Sequence, residues 1–436
     1  MPKRNATQLS FPASRGRSVE AEFSGGAVTS DAGVLLLRQA DRRLGLLAGV
    51  SKRLEDPRDQ SRVTHSQLSM LRQRVYGLAL GDEDLNDHDT LRNDLALQTA
   101  VDRDQPLASS PTLSRLENRA GRETAWAIHE VLVEQFIASF AEPPTELILD
   151  FDATDDPVHG HQVGRFFHGY YDEYCFLPLY VFCGEQLLVA YLRTAQRGAE
   201  RHALAILSLL VRRLRAVWPG VRLVLRGDSG FCRWRMLAWC ERRDVGYIVG
   251  LAKNAALQRL AASGMALAAE QHAATGAKAR VFTEFNYAAK TWDRPRRVIA
   301  RLEHDAKGEN PRYIVTSLPS EAQALYEQVY CARGEMENRI KEQLQLFSDR
   351  TSCHDWWPNQ FRLLLSSLAY VLLEAIRRLG LHGTGLARAY VGTIRLKLLK
   401  IGAVILRNSR RVRFLLSSAH PEQDLFRLAA TRLAPS

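Results

Sequence analysis

The run Val221-Arg-Leu-Val-Leu-Arg-Gly-Asp228-Ser-Gly-Phe231 constrains this chain most. Val221, Leu223 and Leu225 alternate with the period of a strand, and Val224 makes the run nearly continuously apolar. A buried strand therefore stops at an acid followed by Ser-Gly. A carboxylate at the end of such a strand is exposed enough to bind a metal while the sheet holds it rigid. The same Asp also suits the cap of a helix beginning near Phe231. On this stretch alone both readings stand.

Length and composition bound the rest. A chain of 436 residues has room for two or three domains, and 46% hydrophobic residues supply a sizeable core. The net charge of +11 points to an anionic partner, with nucleic acid the leading candidate. The cysteines at 175, 183, 232, 240, 331 and 353 form no CxxC pair, which argues against zinc ribbons and redox motifs. Cys175, Cys183, Cys232 and Cys240 lie among apolar residues and read as buried free thiols. Met1-Pro-Lys-Arg-Asn5 is followed by no apolar signal region, and no apolar run reaches the roughly 18 residues of a membrane span. The expectation is a soluble cytoplasmic protein in a reducing compartment.

Residues 1–25 are polar, with Lys3, Arg4, Arg15 and Arg17, and read as a basic arm that orders on binding. Helices fit Thr29–Leu47 (capped by Asp31), His65–Leu80, Leu91–Val101 and Glu117–Phe140, the last with Trp126 on its apolar face. Residues 1–140 are thus a helical region, whose Arg72, Arg74, Arg92, Arg103, Arg115, Arg119 and Arg122 are candidates for phosphate contacts or for an ordinary solvated surface. The composition changes at Glu142-Pro-Pro. Glu146–Asp152 reads as a strand, Ala153–Gly164 as a loop, and Leu177–Cys183 with Gln186–Arg193 as a hairpin across Gly184-Glu185. A helix over Ala199–Val217, the opening strand, a helix over Arg233–Arg243 and a strand over Val245–Leu251 complete a mixed α/β order. Within residues 252–320 an Ala-rich helix precedes three alternating runs near Arg280–Tyr287, Arg297–Glu303 and Tyr313–Ser317, read as a β-rich insertion. Helix returns over Glu321–Leu346, and residues 351–436 read as a helical C-terminal region with a basic tail at Arg407, Arg410, Arg411 and Arg413.

Moving a phosphoryl group between oxygens needs charge neutralisation and in-line positioning, which two Mg²⁺ ions about 3.5–4 Å apart supply. Two or three carboxylates on rigid strands suffice to hold them. Asp152 and Asp228 each end an apolar strand, so adjacent strands would bring both to one sheet edge. Asp150 shares a strand face with Asp152, but the strand end is the better exposed position. His159-Gly-His161 lacks a third nitrogen or sulfur ligand nearby, which argues against zinc. Downstream, Arg333, Glu337 and Lys341 are spaced i, i+4, i+8 on one helix face, with Tyr330, Ile340 and Leu344 burying the helix in part. That face is either a solvated salt-bridge ladder or an acid flanked by two cations in a cleft.

The pattern Tyr-x2-Arg-x3-Glu at Tyr330, Arg333 and Glu337 resembles the signature of DDE insertion-sequence transposases, in which this Glu is the third catalytic acid. Such signatures continue with a Lys seven residues after the Glu; that position is Leu344 here, and the nearest Lys is Lys341. The run Arg333–Glu342 is similar to the insertion-sequence thirteen-eighty family. So are Leu78–His88, Ser110–Asn118, Asp150–Thr154, Arg226–Phe231 and Trp357–Arg362, so that the resemblance spans nearly the whole chain. Its Asp-x-Thr supports Asp152 as the first acid.

The resemblance implies an RNase H-like mixed-sheet catalytic core over residues 141–251 and 321–350, with residues 252–320 as an insertion domain between Asp228 and Glu337. It implies a transposase that binds terminal inverted repeats through residues 1–140 and performs Mg²⁺-dependent strand cleavage and transfer, with Mn²⁺ as substitute. Asp152, Asp228 and Glu337 would be catalytic and metal-binding, and Tyr330, Arg333 and Lys341 would contact DNA. In relatives that form DNA hairpins an aromatic of the insertion holds a flipped base; Trp292, beside Arg296 and Arg297, is the candidate here, with a core Trp as the other reading. A homodimer on DNA in the bacterial nucleoid is expected. The rival is an RNase H-like nuclease that cuts without joining.

Overall fold

The computed structural model describes residues 8–196 and 198–434. The chain divides into two compact units, Met1–Arg119 with Leu368–Ser436, and Ala120–Ser367.

The unit Ala120–Ser367 is organised by one eight-stranded sheet. Its strands in chain order are β1 (Glu146–Ala153), β2 (Leu179–Cys183), β3 (Gln186–Tyr191), β4 (Arg222–Gly227), β5 (Gly246–Leu251), β6 (Ala279–Tyr287), β7 (Arg296–Asp305) and β8 (Gly308–Thr316). Across the sheet they stand in the order β6-β7-β8-β5-β4-β1-β2-β3. β4 runs parallel to β1 and β5, whereas β2 is antiparallel to both β1 and β3. The central strands are apolar on both sides because both faces are covered. Helices α1 (Arg122–Ala138), α2 (Ala203–Val217) and α3 (Trp234–Arg242) bury Phe136, Leu207, Leu214 and Leu237 against Leu149, Phe151, Leu223 and Leu225. The second face seats Val224, Ile248, Ile299 and Ile314 under Leu325 and Tyr326. Gly184 turns the β2–β3 hairpin with φ of 59°, as the Gly184-Glu185 reading requires.

The three runs of residues 252–320 do form strands, β6 to β8, and these extend the main sheet. β8 pairs antiparallel with β5, from Ile248 opposite Thr316 to Leu251 opposite Tyr313. Val298, Ile299, Ala300 and Leu302 are fully buried, so β7 needs cover on both sides and finds it in the shared core. The expected helix Glu117–Phe140 is instead two, Ser110–Asn118 and α1, broken at Ala120-Gly121. Trp126 is 52% exposed rather than on the buried stripe. All six cysteines are free. Burial pushes the thiols of Cys175 and Cys240 up to about 11 and about 12, which keeps them protonated. Cys331 is exposed.

In the unit Met1–Arg119 with Leu368–Ser436, residues 9–21 of the expected basic arm form a hairpin, Leu9–Ser14 against Arg17–Ala21. Lys3 and Arg4 lie outside the described residues. The helix expected over Thr29–Leu47 breaks at Gly45, and Asp31 pairs with Lys400 at 2.6 Å instead of capping it. Ser66 and Asp94 cap the helices Gln67–Leu80 and Leu95–Ala100. The C-terminal block is not wholly helical, since Ala403–Arg407 and Val412–Leu416 are paired strands. Several arginines that were candidates for phosphate contacts or a solvated surface brace this unit internally: Arg72 pairs with Asp41 and Asp102, Arg74 with Glu117, and Arg119 with Asp56. Among the described residues no helix is long and apolar enough to cross a membrane.

Residues 153–176, of which 153–164 were read as a loop, hold a small antiparallel sheet of Asp156–Pro157, Glu173–Phe176 and Phe166–His168. Asp156 is buried there. Thr351 donates a hydroxyl hydrogen bond to its Oδ2 at 3.0 Å, while Oδ1 is buried without a hydrogen-bond partner among the described residues. Burial, opposed by Thr351 and reinforced by Asp349 and Asp155, pushes this carboxyl up to about 8. A carboxyl that holds its proton more tightly when folded favours folding at acid pH, and that advantage is lost as pH rises through about 8. Asp156→Asn keeps the acceptor for Thr351 and removes the titration. The variant should gain melting temperature over wild type by a margin that grows between about pH 5 and pH 8, measured by scanning calorimetry. A margin independent of pH would contradict this.

Candidate active site

The site begins with the register of β1 and β4. Arg226 stands opposite Asp150 and Gly227 opposite Phe151, so one residue further on Asp228 comes level with Asp152. Level residues on parallel neighbours point to one face. Asp150 and Arg226 show this directly: Arg226 Nη2 donates to Asp150 Oδ2 at 2.7 Å, and its Nε donates to Oδ1. Both residues are buried, so Asp150 is committed to a bidentate ion pair. Asp152, at the strand end, is not.

The third acid arrives on a helix that the same arginine fixes. Arg226 Nη1 donates to the Val329 carbonyl at 2.5 Å. Leu325–Tyr330 makes a π-helical turn, Cys331–Arg333 tightens to a 3-10 turn, and α4 (Gly334–Leu344) follows. Met336, Ile340 and Gln343 form its buried face, whereas Leu344, expected to be buried, is 38% exposed. Arg339 anchors the helix by pairing with Glu342 at 2.6 Å and with Glu185, on the β2–β3 turn, at 3.0 Å.

Arg333 joins helix to sheet. Its Nη1 donates to Asp152 Oδ2 and its Nη2 to Glu337 Oε1, each at 2.9 Å. One guanidinium thus spans two of the three acids. Burial pushes the Asp152 carboxyl up to about 6; Arg333 opposes this, and the negative charges of Asp228 and Glu337 add to it. Burial also raises the Tyr330 hydroxyl, with Arg333 opposing and Asp228 adding. Asp152, Asp228, Glu337, Arg333 and Tyr330 therefore share one electrostatic cluster. Asp228 has a second role, since its Oδ1 accepts from the Gly230 backbone N–H at 2.8 Å. It caps the short turn Ser229–Phe231, the role that the sequence also offered for this acid.

Gly250 was not singled out in the sequence. A Cβ at this β5 position would meet the Tyr330 hydroxyl at 2.7 Å and the Ser229 nitrogen at 2.8 Å. Only glycine lets Tyr330 and the Asp228 turn approach this strand. Its signal was faint: a glycine inside the apolar run Val245–Leu251.

Lys341 lies exposed on α4, one turn beyond Glu337. Trp292, Arg296 and Arg297 lie elsewhere. Through Val249 and Val315, Val298 is level with Gly227 but three strands away, about 14 Å at ordinary strand spacing. Arg296 is buried on the α3 face, paired with Glu241 at 2.8 Å and Asp293 at 2.9 Å. Trp292 packs on that core with Arg296 at 5.4 Å from its ring. Both lie on the sheet face away from Asp152 and Asp228. Arg297 is on the acids' face and bonds Glu284 and the Leu318 carbonyl.

Carboxylates alone are hard oxygen donors, the set that suits Mg²⁺ or Mn²⁺. The buried, like-charged environment of Asp152 is one that a divalent cation would relieve. Among the described residues, no group of three or more His, Cys, Asp or Glu side chains is placed to hold a metal ion. The positive charge between Asp152 and Glu337 is that of Arg333. His161 is engaged by Arg165, at 2.9 Å.

Arg226→Met would strand Asp150 as an unpaired buried charge and should cost about 3–5 kcal/mol of stability by urea unfolding. Gly250→Ala should cost about 1–3 kcal/mol through overpacking. Wild-type stability in either variant would contradict the packing described here.

A family model described as transposase DDE domain group 1 matches residues 11–436. No curated protein matches the chain. Among solved structures, the piggyBac transposase in a cryo-EM synaptic complex with hairpin DNA is similar at 10% identity and a TM-score of 0.43, over 94% of this chain and 86% of that one. With the family model covering the chain from residue 11 to its last, the protein belongs to the DDE transposases of domain group 1.

Proposed function

We propose that this transposase cuts DNA at the terminal inverted repeats of an insertion sequence and joins the freed ends to new DNA, with Asp152, Asp228 and Glu337 as its catalytic acids. The observation that carries this reading is the Arg333 guanidinium bonded to both Asp152 and Glu337, with Asp228 level with Asp152 on the adjoining strand. Three acids, one arginine and one tyrosine are drawn from sequence positions as much as 185 residues apart, and structural need alone gives no reason to gather them. The order β3-β2-β1-β4-β5, with β2 alone reversed, supports an RNase H-like core. The motifs at Asp150–Thr154, Arg226–Phe231 and Arg333–Glu342 support assignment to the insertion-sequence thirteen-eighty family.

Asp152 and Asp228 would hold a divalent cation, Mg²⁺ or Mn²⁺, with Glu337 completing the set. When bound, such a cation supplies charge neutralisation and an acidified water. Arg333 keeps Asp152 and Glu337 together and adds positive charge where the phosphate enters. The neutral Tyr330 hydroxyl donates to a phosphate oxygen. Lys341, on the exposed face of α4, binds the DNA backbone. Hydrolysis breaks the bond between phosphorus and the 3′ oxygen, leaving a 3′ hydroxyl that attacks a second phosphodiester in the transfer step. Residues 1–140 read the inverted repeat, residues 252–320 serve as the insertion of the core, and two copies hold the two ends.

Cleavage of an end-containing duplex with Mg²⁺ or Mn²⁺ tests the reading. Asp228→Ala should lower the rate by at least about two orders of magnitude. Cleavage at the wild-type rate would sink the assignment, and cleavage without joining of pre-cut ends would leave a nuclease. Lys341→Ala should weaken DNA binding and reduce its salt dependence by about one counterion without changing divalent-ion binding.

A further inference from the structure

β1 runs from Asp152 almost directly into the small sheet of residues 156–176, which the chemistry above does not use. Its hairpin, Phe166–His168 paired with Glu173–Phe176, presents aromatic rings to solvent. Tyr170 is 84% exposed, Phe167 52% and Tyr174 50%. Phe167 stands opposite Tyr174 with ring centroids 5.7 Å apart, edge to face. The Arg165 guanidinium lies 4.5 Å from the Tyr174 ring. Aromatic exposure concentrated on one short hairpin marks a binding site more often than scattered single exposed residues do.

Tyr171 connects this surface to the acids. Tyr170 packs edge-on against it at 5.0 Å. Tyr171 and Ala153, the residue after Asp152, pack on the same cluster of Cys175, Leu177 and Ala195. Burial raises the Tyr171 hydroxyl, and Asp155, Asp152 and Asp228 are near enough to add to that shift. The base of the hairpin is fixed. The Val163 N–H donates to the His354 carbonyl at 2.9 Å, and Trp356 meets Phe176 edge-on at 5.3 Å. Gly164, at φ of 89°, leaves the space that the Trp356 ring fills, 2.7 Å from where a Cβ would stand. An exposed aromatic tip therefore stands on a rigid support beside the strand end that carries Asp152.

We propose that this hairpin is a stacking platform for unpaired bases of the DNA strand next to the scissile phosphate. The proposal rests on the reading that Asp152 and Asp228 act on DNA. Every base offers a flat π-face, so Phe167, Tyr170 and Tyr174 can hold it without reading its sequence. Arg165 supplies positive charge for the adjoining phosphate. The position next to Asp152 and the positive charge of Arg165 favour a DNA strand over a protein or lipid partner. The platform gives the bases freed at a distorted end somewhere to go.

The test uses the full chain, and a duplex with a short unpaired flank carrying 2-aminopurine beside the scissile position. Wild type should quench the probe and bind the flanked duplex at least about tenfold more tightly than Tyr170→Ala or the pair Phe167→Ala with Tyr170→Ala. Tyr170→Phe should bind as wild type does. Tyr170 is so exposed that its loss leaves packing intact, and an unchanged melting temperature checks this. If wild type cleaves DNA ends and the alanine variants bind the unpaired flank equally well, the platform is wrong and the catalytic reading survives. If those variants lose self-association in sedimentation and keep flank binding, the surface belongs to a second copy and the proposal is overturned. If wild type cleaves no end at all with Mn²⁺, the catalytic reading fails and the platform with it.

Discussion

The buried ion pair between Asp150 and Arg226 is the interaction on which the site depends. It joins the two central parallel strands at the step before their acidic ends, so the register that aligns Asp228 with Asp152 is the register that lets this pair form. A slip of one residue would turn Arg226 to the other face and bury both charges unpaired, at a cost of several kcal/mol. The third donor of the same guanidinium reaches the Val329 carbonyl and fixes the turn from which Arg333 and Glu337 depart. One arginine thus sets strand register and helix position together.

Arg333 then performs for the acids what Arg226 performs for the frame. Its two contacts oppose the repulsion that Asp228 and Glu337 exert on the buried Asp152 carboxylate. Gly250 completes the arrangement by leaving room for the Tyr330 hydroxyl and the Asp228 turn above β5. These side chains are therefore held by strand ends and an anchored helix, not by free loops, which is the rigidity that the proposed chemistry demands.

Local patterns carried much of this arrangement. Alternation of Val221, Leu223 and Leu225 marked β4 and its acidic end, and the four-residue spacing of Arg333 and Glu337 marked a shared helix face, because both periods are properties of the backbone. Contacts made across long sequence separations left no such mark. Nothing near Arg226 tells that its partner is Asp150, 76 residues away, and nothing near Arg74 tells that it is spent on Glu117. The strands of residues 279–316 were visible, but their union with the main sheet depends on β8 meeting β5, a pairing that periodicity does not encode. Tyr171 was silent for the same reason: only the folded hairpin brings it to Ala153. Trp292 could be read as a DNA contact or as core, and Arg296 as a DNA contact, because charge and aromaticity in sequence carry no sign of which sheet face they occupy.

The central claim is that Asp152, Asp228 and Glu337 form one site for a divalent cation acting on DNA. Electron paramagnetic resonance of Mn²⁺ added to the full chain bound to duplex ends tests it most directly, because it reads the ion and not the product. The account predicts tightly bound Mn²⁺ in wild type and its loss in both Asp152→Asn and Asp228→Asn, each still folded and bound to DNA. Equal Mn²⁺ occupancy in wild type and both variants would contradict it.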